Sequence, residues 1–174
     1  MGYSSKISSD SQYIFDLEET ASNVLNVIKI YKLNSATPPQ YDFNTPYQTI
    51  TLPSTTDKAS IERSAIDINS DGKQLVLLYT TDAEKYKLWG VVYYYNANAT
   101  PPIWELTTEN ATSSTFLGQF GTGSEVSDGI KYMFNKFLSN DGTRMVFSSR
   151  LAGAAAVYTI TNGTTAGGKI NINP

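Results

Sequence analysis

The chain of 174 residues carries a net charge of −3, and 40% of its residues are hydrophobic while only 17% are charged. That hydrophobic content supports the core of one ordinary domain, but the 13 scattered basic residues do not form the clustered face that binds nucleic acid. The absence of cysteine and histidine excludes disulfides, thiolate metal sites and catalysis by Ser-His-Asp or Cys-His groups.

A five-residue pattern built around an aspartate occurs three times along the chain. Ile-Ser-Ser-Asp-Ser at residues 7–11 returns as Ile-Asn-Ser-Asp-Gly at 68–72 and as Leu-Ser-Asn-Asp-Gly at 138–142. Repeats of this length are typical of stacked copies of one supersecondary unit. We therefore interpret the chain as a single repeat domain over residues 1–174.

The first copy, residues 1–52, predicts four strands. Apolar and polar residues interchange along it in the way expected of half-buried strands. Ser11 stands where the other two copies have glycine, a change that a type I turn tolerates. Strands are predicted over residues 3–7, 12–17 and 24–33, with the fourth near 41–43 or over 48–52.

The second copy, residues 64–109, carries the clearest hairpin signal. Asp71 and Gly72 stand between two strand-like runs, and glycine accepts the positive φ that such a turn requires. The Leu-Val-Leu-Leu run that follows is continuous and apolar, as expected for a strand covered on both faces. Strands are predicted over residues 64–68, 74–79, 88–95 and 103–107.

A stretch rich in glycine, serine and threonine, residues 110–129, precedes the third copy, and we expect it to be a loop. No strong helix is predicted anywhere. The third copy, residues 130–174, lacks an aromatic residue in its last strand, and terminal repeats are often atypical in this way. Its strands are predicted over residues 131–138, 144–148, 155–161 and 169–172.

Four-stranded units with an Asp-Gly turn between the first two strands and an aromatic residue in the last resemble β-propeller blades, most closely FG-GAP and WD40-like blades. Gly-Tyr-Ser at residues 2–4 is similar to the entry of FG-GAP repeats. The resemblance implies an all-β fold of three four-stranded antiparallel propeller-type blades. Closed propellers have about 4–8 blades, so three do not close a ring. The chain is then half of a six-bladed ring or an excerpt of a larger propeller, and a β-sandwich is the alternative fold.

The second turn contains a candidate metal site. Asp67, Asn69 and Asp71 fit the D-x-N-x-D-G opening of a calcium loop, in which alternate side chains converge on one ion. The resemblance points the same way, because FG-GAP blades in integrins bind calcium with a related hairpin. The later acidic ligand is missing, since Lys73 and Gln74 follow. A hairpin turn with a capping aspartate is the alternative, and it needs no cofactor.

Tyr41 and Trp104 are candidate binding residues. Each soon follows an Ala-Thr-Pro-Pro segment, at residues 36–39 and 99–102, so the two should occupy equivalent positions. If both are exposed, their rings offer stacking surfaces for sugars. Core and cross-strand packing is the alternative account of the aromatic residues in this chain.

Acidic residues in predicted loops raise the question of catalysis. Glu18 with Glu19, and Asp82 with Glu84, are the pairs of carboxylates that a glycosidase-like propeller needs. Nothing nearby in the sequence supplies the apolar surroundings that keep one carboxyl group protonated. Solvated loop charge is therefore the favoured interpretation.

These observations favour a structural or protein-binding propeller module that is not an enzyme. We expect it to work within an assembly, by self-association or by contact with a protein partner. A carbohydrate-binding propeller lectin is the second hypothesis, and a glycosidase-like propeller is the third. No apolar run approaches the ~20 residues of a membrane span, and no signal peptide is recognised. The composition suits a virion or extracellular component.

Overall fold

A computed structural model of the protein describes residues 4–19, 25–51, 61–81, 83–106, 114–131, 136–160 and 170–171. Within these ranges the chain forms twelve β-strands in three open antiparallel sheets. The predicted all-β class is confirmed.

Sheet 1 is a four-stranded antiparallel meander built from the first copy. Its strands, in spatial and sequence order, are β1 (Ser4–Ile7), β2 (Tyr13–Glu19), β3 (Leu25–Lys32) and β4 (Gln48–Thr51). The fourth strand therefore lies at the second of the two predicted places. Tyr41 forms only an isolated bridge with Leu33.

Sheet 2 is built from the second copy and gains one strand that was not predicted. Its meander runs through β5 (Ile61–Ile68), β6 (Gln74–Thr81), β7 (Lys87–Asn96) and β8 (Ile103–Leu106). A further strand, β9 (Thr115–Gln119), pairs with the first half of β7, beside β8. The prediction of a loop was wrong here because Leu117 is buried and the Phe116 ring packs against Trp89, with centroids 5.3 Å apart.

A short helix, α1 (Glu125–Lys131), leads into the third copy. No strong helix was predicted, and α1 has only seven residues; it is held in place because Val126 and Ile130, one turn apart, are both buried in the core. The predicted first strand of this copy begins inside α1, and residues 132–135 lie outside the described ranges. Sheet 3 contains β10 (Arg144–Ser149), β11 (Ala154–Ile160) and β12 (Ile170–Asn171), and Leu138 adds an isolated bridge to β10.

Two hydrophobic cores hold the three sheets together. The first, called junction 1, joins the inner face of sheet 1 to one face of sheet 2 around Phe15 and Leu77. The second, called junction 2, joins the opposite face of sheet 2 to sheet 3 and α1 around Val76 and Phe147. Sheet 2 is therefore the middle layer.

The place of each sheet explains its hydrophobic pattern. All eight residues of β6 are buried, as its continuous apolar run predicts for a strand covered on both faces. In β10, exposed and buried residues alternate, because only one of its faces is covered. The sheets have four, five and three strands within the described residues, so the strand count matches a four-stranded unit only in sheet 1.

Candidate functional site

The three aspartate turns adopt one geometry. In each turn the N–H of the fourth residue donates to the carbonyl of the first, at 2.8, 3.1 and 3.0 Å in chain order. The fourth residue has a positive φ every time, and the three are Ser11 (56°), Gly72 (69°) and Gly142 (74°). Glycine adopts this conformation without steric cost, whereas the Cβ of Ser11 makes the same backbone conformation unfavourable. The repeat seen in the sequence is therefore also a repeat of local structure.

The turn aspartates Asp10, Asp71 and Asp141 act as caps. The Oδ1 atom of each accepts the backbone N–H two residues further on, at 2.9, 3.0 and 3.0 Å. Asp141 Oδ1 also accepts the hydroxyls of Ser139 and Thr143, at 2.6 and 2.8 Å. These hydrogen bonds stabilise the carboxylate and lower the pKa of Asp141 to about 2. The Ser8 hydroxyl likewise lowers the pKa of Asp10.

Asp67, the first candidate metal ligand, is buried and already bound by backbone donors. Its Oδ2 accepts the N–H groups of Phe137 and Leu138 at 2.7 and 2.8 Å. Its Oδ1 accepts the Ile68 N–H at 2.9 Å and lies 3.6 Å from Lys6 Nζ. Asp67 therefore ties sheet 2 to the third copy across junction 2.

The other two candidate ligands, Asn69 and Asp71, also accept backbone hydrogen bonds within the hairpin. Asn69 Oδ1 accepts the Gln74 N–H at 3.0 Å, and Asp71 Oδ1 accepts the Lys73 N–H at 3.0 Å. In the part of the chain that the structure describes, no group of three or more acidic side chains lies together. Calcium prefers about six or more oxygen ligands, and in each of these three side chains at least one oxygen already accepts a backbone N–H. The geometry agrees with the capped hairpin.

The three turns contact one another from sheet to sheet through their second residues. Ser9 Oγ donates to the carbonyl of Ser70. Ser70 donates in turn to the carbonyl of Asn140, both from its N–H and from its Oγ, at 2.9 Å each. The same position of each turn thus hydrogen-bonds to the same position of the next. We call this series the turn stack.

Tyr41 and Trp104 occupy equivalent positions, as their sequence context predicts. Trp104 Nε1 donates to the carbonyl of Gly72 at 3.0 Å, and the Tyr41 hydroxyl donates to the carbonyl of Ser11, the equivalent turn residue. Their exposure differs, however. Trp104 is buried in junction 1 and Tyr41 is half-buried. The expectation that both rings are exposed therefore fails at Trp104, because sheet 1 covers it.

One side chain of each acidic pair is described, Glu18 in the first and Glu84 in the second, and each forms an ion pair with a lysine. Glu18 lies in β2 rather than in a loop, and its carboxylate accepts Lys29 Nζ at 2.7 Å. Glu84 pairs with Lys87. Asp82 lies outside the described ranges. Partly exposed ion pairs of this kind agree with the solvated-charge interpretation.

Exposed apolar residues lie on the two outer faces of the stack of sheets. The outer face of sheet 1, called the head face, carries Ile7, which is 55% exposed. The outer face of sheet 3, called the tail face, carries Val146 and Val157, which are 46% and 54% exposed. These two valines are directly opposite each other on β10 and β11, so they form one continuous apolar surface. The tail face is the candidate binding surface.

The sequence interpretation did not single out these residues. Strand alternation places Val146 and Val157 on one face, but alternation alone does not say which face another sheet covers. The sequence does contain one indication, which is the distance of Val146 from the turn aspartate. Val146 follows the turn aspartate by five residues, as Phe15 and Val76 do in the first two copies.

No protein-family model matches the chain, and no curated protein or solved structure shows significant similarity to it. Among the described residues, no helix has both the length and the apolarity needed to cross a membrane.

Proposed function

We propose that the protein is a non-catalytic structural module of three propeller-type blades that works within an assembly through its tail face. The observation that carries this proposal is the exposed valine pair on sheet 3. Val146 and Val157 lie opposite each other in an otherwise regular ladder, on strands whose inward-facing residues Met145, Phe147 and Tyr158 are fully buried. Adjacent exposed apolar residues indicate a protein contact site more strongly than single scattered ones do.

The neighbours of the valine pair suit a protein contact. Ser148 and Ala155 are paired beside it and are small, so they allow another backbone or sheet to approach closely. Arg144, paired with Thr159, supplies one positive charge at the edge. Apolar residues at the centre with polar groups at the rim are the usual anatomy of a protein interface.

The aromatic alternative receives less support from the geometry. A carbohydrate-binding propeller needs equivalent aromatic rings open to solvent in successive blades. Trp104 instead packs edge-on against Tyr13 and Phe15, with ring centroids 4.8 and 5.1 Å away. Its role is to fill junction 1.

A photo-reactive amino acid at position 157 tests the proposal. Irradiation in an extract of the source organism should give a protein adduct of defined mass from position 157. The same group at Asn98, an exposed loop residue of sheet 2, is the control and should give none. Val146→Asp should abolish the adduct without unfolding the chain, because the residue faces solvent. No adduct at 157, or the same adduct from both positions, would contradict the proposal.

A further inference from the structure

The exposed residue Ile7 on the head face belongs to a set of three equivalent residues. Ile7, Ile68 and Leu138 each precede the turn aspartate by three residues. Ile68 is packed in junction 1 and Leu138 in junction 2, at 4% and 2% exposure. Both are covered by the sheet that precedes them in the stack. Among the sheets that the structure describes, none covers Ile7, which is 55% exposed.

The exposed valines of the tail face belong to two further sets. Phe15 and Val76 are the equivalents of Val146, and Ile30 and Val92 are the equivalents of Val157, because each pair is directly opposed in its sheet. All four equivalents are buried beneath the following sheet. The exposed valines of the tail face therefore occupy the positions whose equivalents are buried in junction 1 and in junction 2.

The aromatic position supplies an anchor on the head face. Trp104 lies on the side of sheet 2 that meets sheet 1, where it contacts Tyr13 and Phe15. Tyr41 is its equivalent in sheet 1. The tail-face residues equivalent to Tyr13 and Phe15, three and five positions after the turn aspartate, are Arg144 and Val146. A guanidinium group over a tyrosine ring is a favourable contact.

Polar residues also match between the two faces. On the head face, Asp16 and Lys29 are paired where sheet 2 has Leu77 and Val91. On the tail face, Ser148 replaces the leucines Leu17 and Leu78 of the earlier copies. Both faces are thus apolar beside the turn and polar further along the strands.

The hydrogen bonds of the turn stack all run in one direction, from sheet 1 towards sheet 3. Ser9 donates to Ser70 and Ser70 donates to Asn140, always from one turn to the next. Continuing the series would place the Asn140 N–H against the Ser9 carbonyl of another copy. Both end faces and both end turns are therefore complementary in the same relative orientation.

We propose that a second copy of this chain docks head to tail, with the tail face of one protomer covering Ile7, Tyr41 and Ile14 of the other, where Ile14 is the residue of β2 directly opposite Ile7. This inference rests on the proposed function, since it names the partner of the tail face. A contact between two different surfaces closes when the rotation permits, and two such contacts join six sheets into a dimer. Each protomer then contributes both of its end faces.

The native mass tests the proposal first. Sedimentation of the purified chain, from dilute to concentrated solution, should reach twice the 19.1 kDa chain mass. Val157→Arg on the tail face and Ile7→Arg on the head face should each give a monomer. Leu151→Arg is the matched control: Leu151 is an exposed apolar residue in the turn between β10 and β11, outside the strands that form the tail face, and the variant should remain a dimer.

Mixing the two monomeric variants separates the possible arrangements and shows that both variants are folded. One junction of the mixed dimer contains both substitutions, and the other contains neither. The mixture should therefore form a dimer that neither variant forms alone. If two tail faces paired with each other instead, Ile7→Arg would remain a dimer by itself, and this result would overturn the head-to-tail contact.

A cysteine cross-link tests the register. The chain contains no cysteine, so Tyr41→Cys and Val146→Cys can be combined without interference. Sheet 2 separates the two positions within one protomer, so oxidation of the double variant should give a covalent dimer by linking two chains. Each single variant should give none. A disulfide from Val146→Cys alone would contradict the proposed register.

A monomer at all concentrations would overturn the head-to-tail dimer but not the proposed function. In that case, a position-157 adduct with a different protein would show that the tail face binds another partner. Loss of both the dimer and the adduct would remove the proposed function as well.

Discussion

Strands β6 and β10 hold equivalent places, each following one of the aspartate turns, but they differ in burial. β6 is buried on both faces, and its side chains belong alternately to junction 1 and junction 2. β10 buries only Met145, Phe147 and Ser149, while its opposite face meets solvent. Both strands carry apolar residues on both faces, so position in the stack decides what each residue contributes to stability.

The largest expected effect follows from this difference. Leu77→Ala in β6 should lower the free energy of unfolding by about 2–5 kcal/mol, because a fully buried leucine leaves a cavity between two packed sheets. Val157→Ala in the exposed ladder of sheet 3 should change it by less than about 0.5 kcal/mol. Urea unfolding of both variants at low protein concentration measures the contrast. Equal losses would show that the tail face is covered within the chain.

A second contrast is between Asp67, in β5, and Asp71, in the turn that follows this strand. Asp67→Ala should cost about 3 kcal/mol, because it leaves the buried N–H groups of Phe137 and Leu138 without their acceptor. Asp71→Ala removes one exposed capping bond and should cost about 1 kcal/mol. Chemical denaturation of the two variants gives both values. If Asp71→Ala were the more damaging, Asp67 would not be the tie between sheets 2 and 3.

The contrast between these two aspartates also shows how far the sequence can predict the structure. The turns, their aspartate caps and the strands around them follow from local signals, because Asp-Gly and alternating apolar residues act within a few positions. Two of the donors to Asp67, the N–H groups of Phe137 and Leu138, come from residues 70 and 71 positions away. No local pattern reveals such a contact, so a buried structural carboxylate resembles a metal ligand in the sequence.

The same reasoning explains the missed elements. β9 and α1 lie in a stretch whose glycine, serine and threonine content predicts a loop. They form because Leu117, Val126 and Ile130 find apolar partners in junction 2. Such tertiary contacts outweigh local preference. The sequence identifies the equivalence of Tyr41 and Trp104, but only the stacking of the sheets shows that Trp104 is buried while Tyr41 is half-buried.

Gly142 lies in a turn that packs against sheet 2, whereas Gly153 lies in a turn open to solvent. Both have a positive φ, 74° and 59°. A Cβ on Gly142 would lie 2.0 Å from Gln74 Oε1, whereas one on Gly153 would meet nothing within 4 Å.

Gly142→Ala should therefore cost about 2–3 kcal/mol, from the left-handed backbone together with loss of the bond from Gln74 Nε2 to the Gly142 carbonyl. Gly153→Ala, the matched control, should cost only about 1 kcal/mol. Thermal or urea unfolding distinguishes them, and similar losses would mean that Gln74 moves aside freely.

The smallest expected effect concerns the charge of the third turn. The pKa of Asp141 falls from 3.8 to about 2 in the folded protein, so the carboxylate stabilises the fold fully above pH 4. This contribution should disappear as the pH falls from about 4 to about 2, because the folded carboxyl group then becomes protonated. Asp141→Asn keeps an oxygen acceptor but does not titrate.

The urea midpoints of the wild type and Asp141→Asn should therefore differ most at neutral pH and converge near pH 2. Some acid sensitivity should remain in the variant, because the pKa of Asp10 is also lowered. A constant difference from pH 7 to pH 2 would show that the hydroxyls of Ser139 and Thr143 stabilise the turn without favouring its charged form.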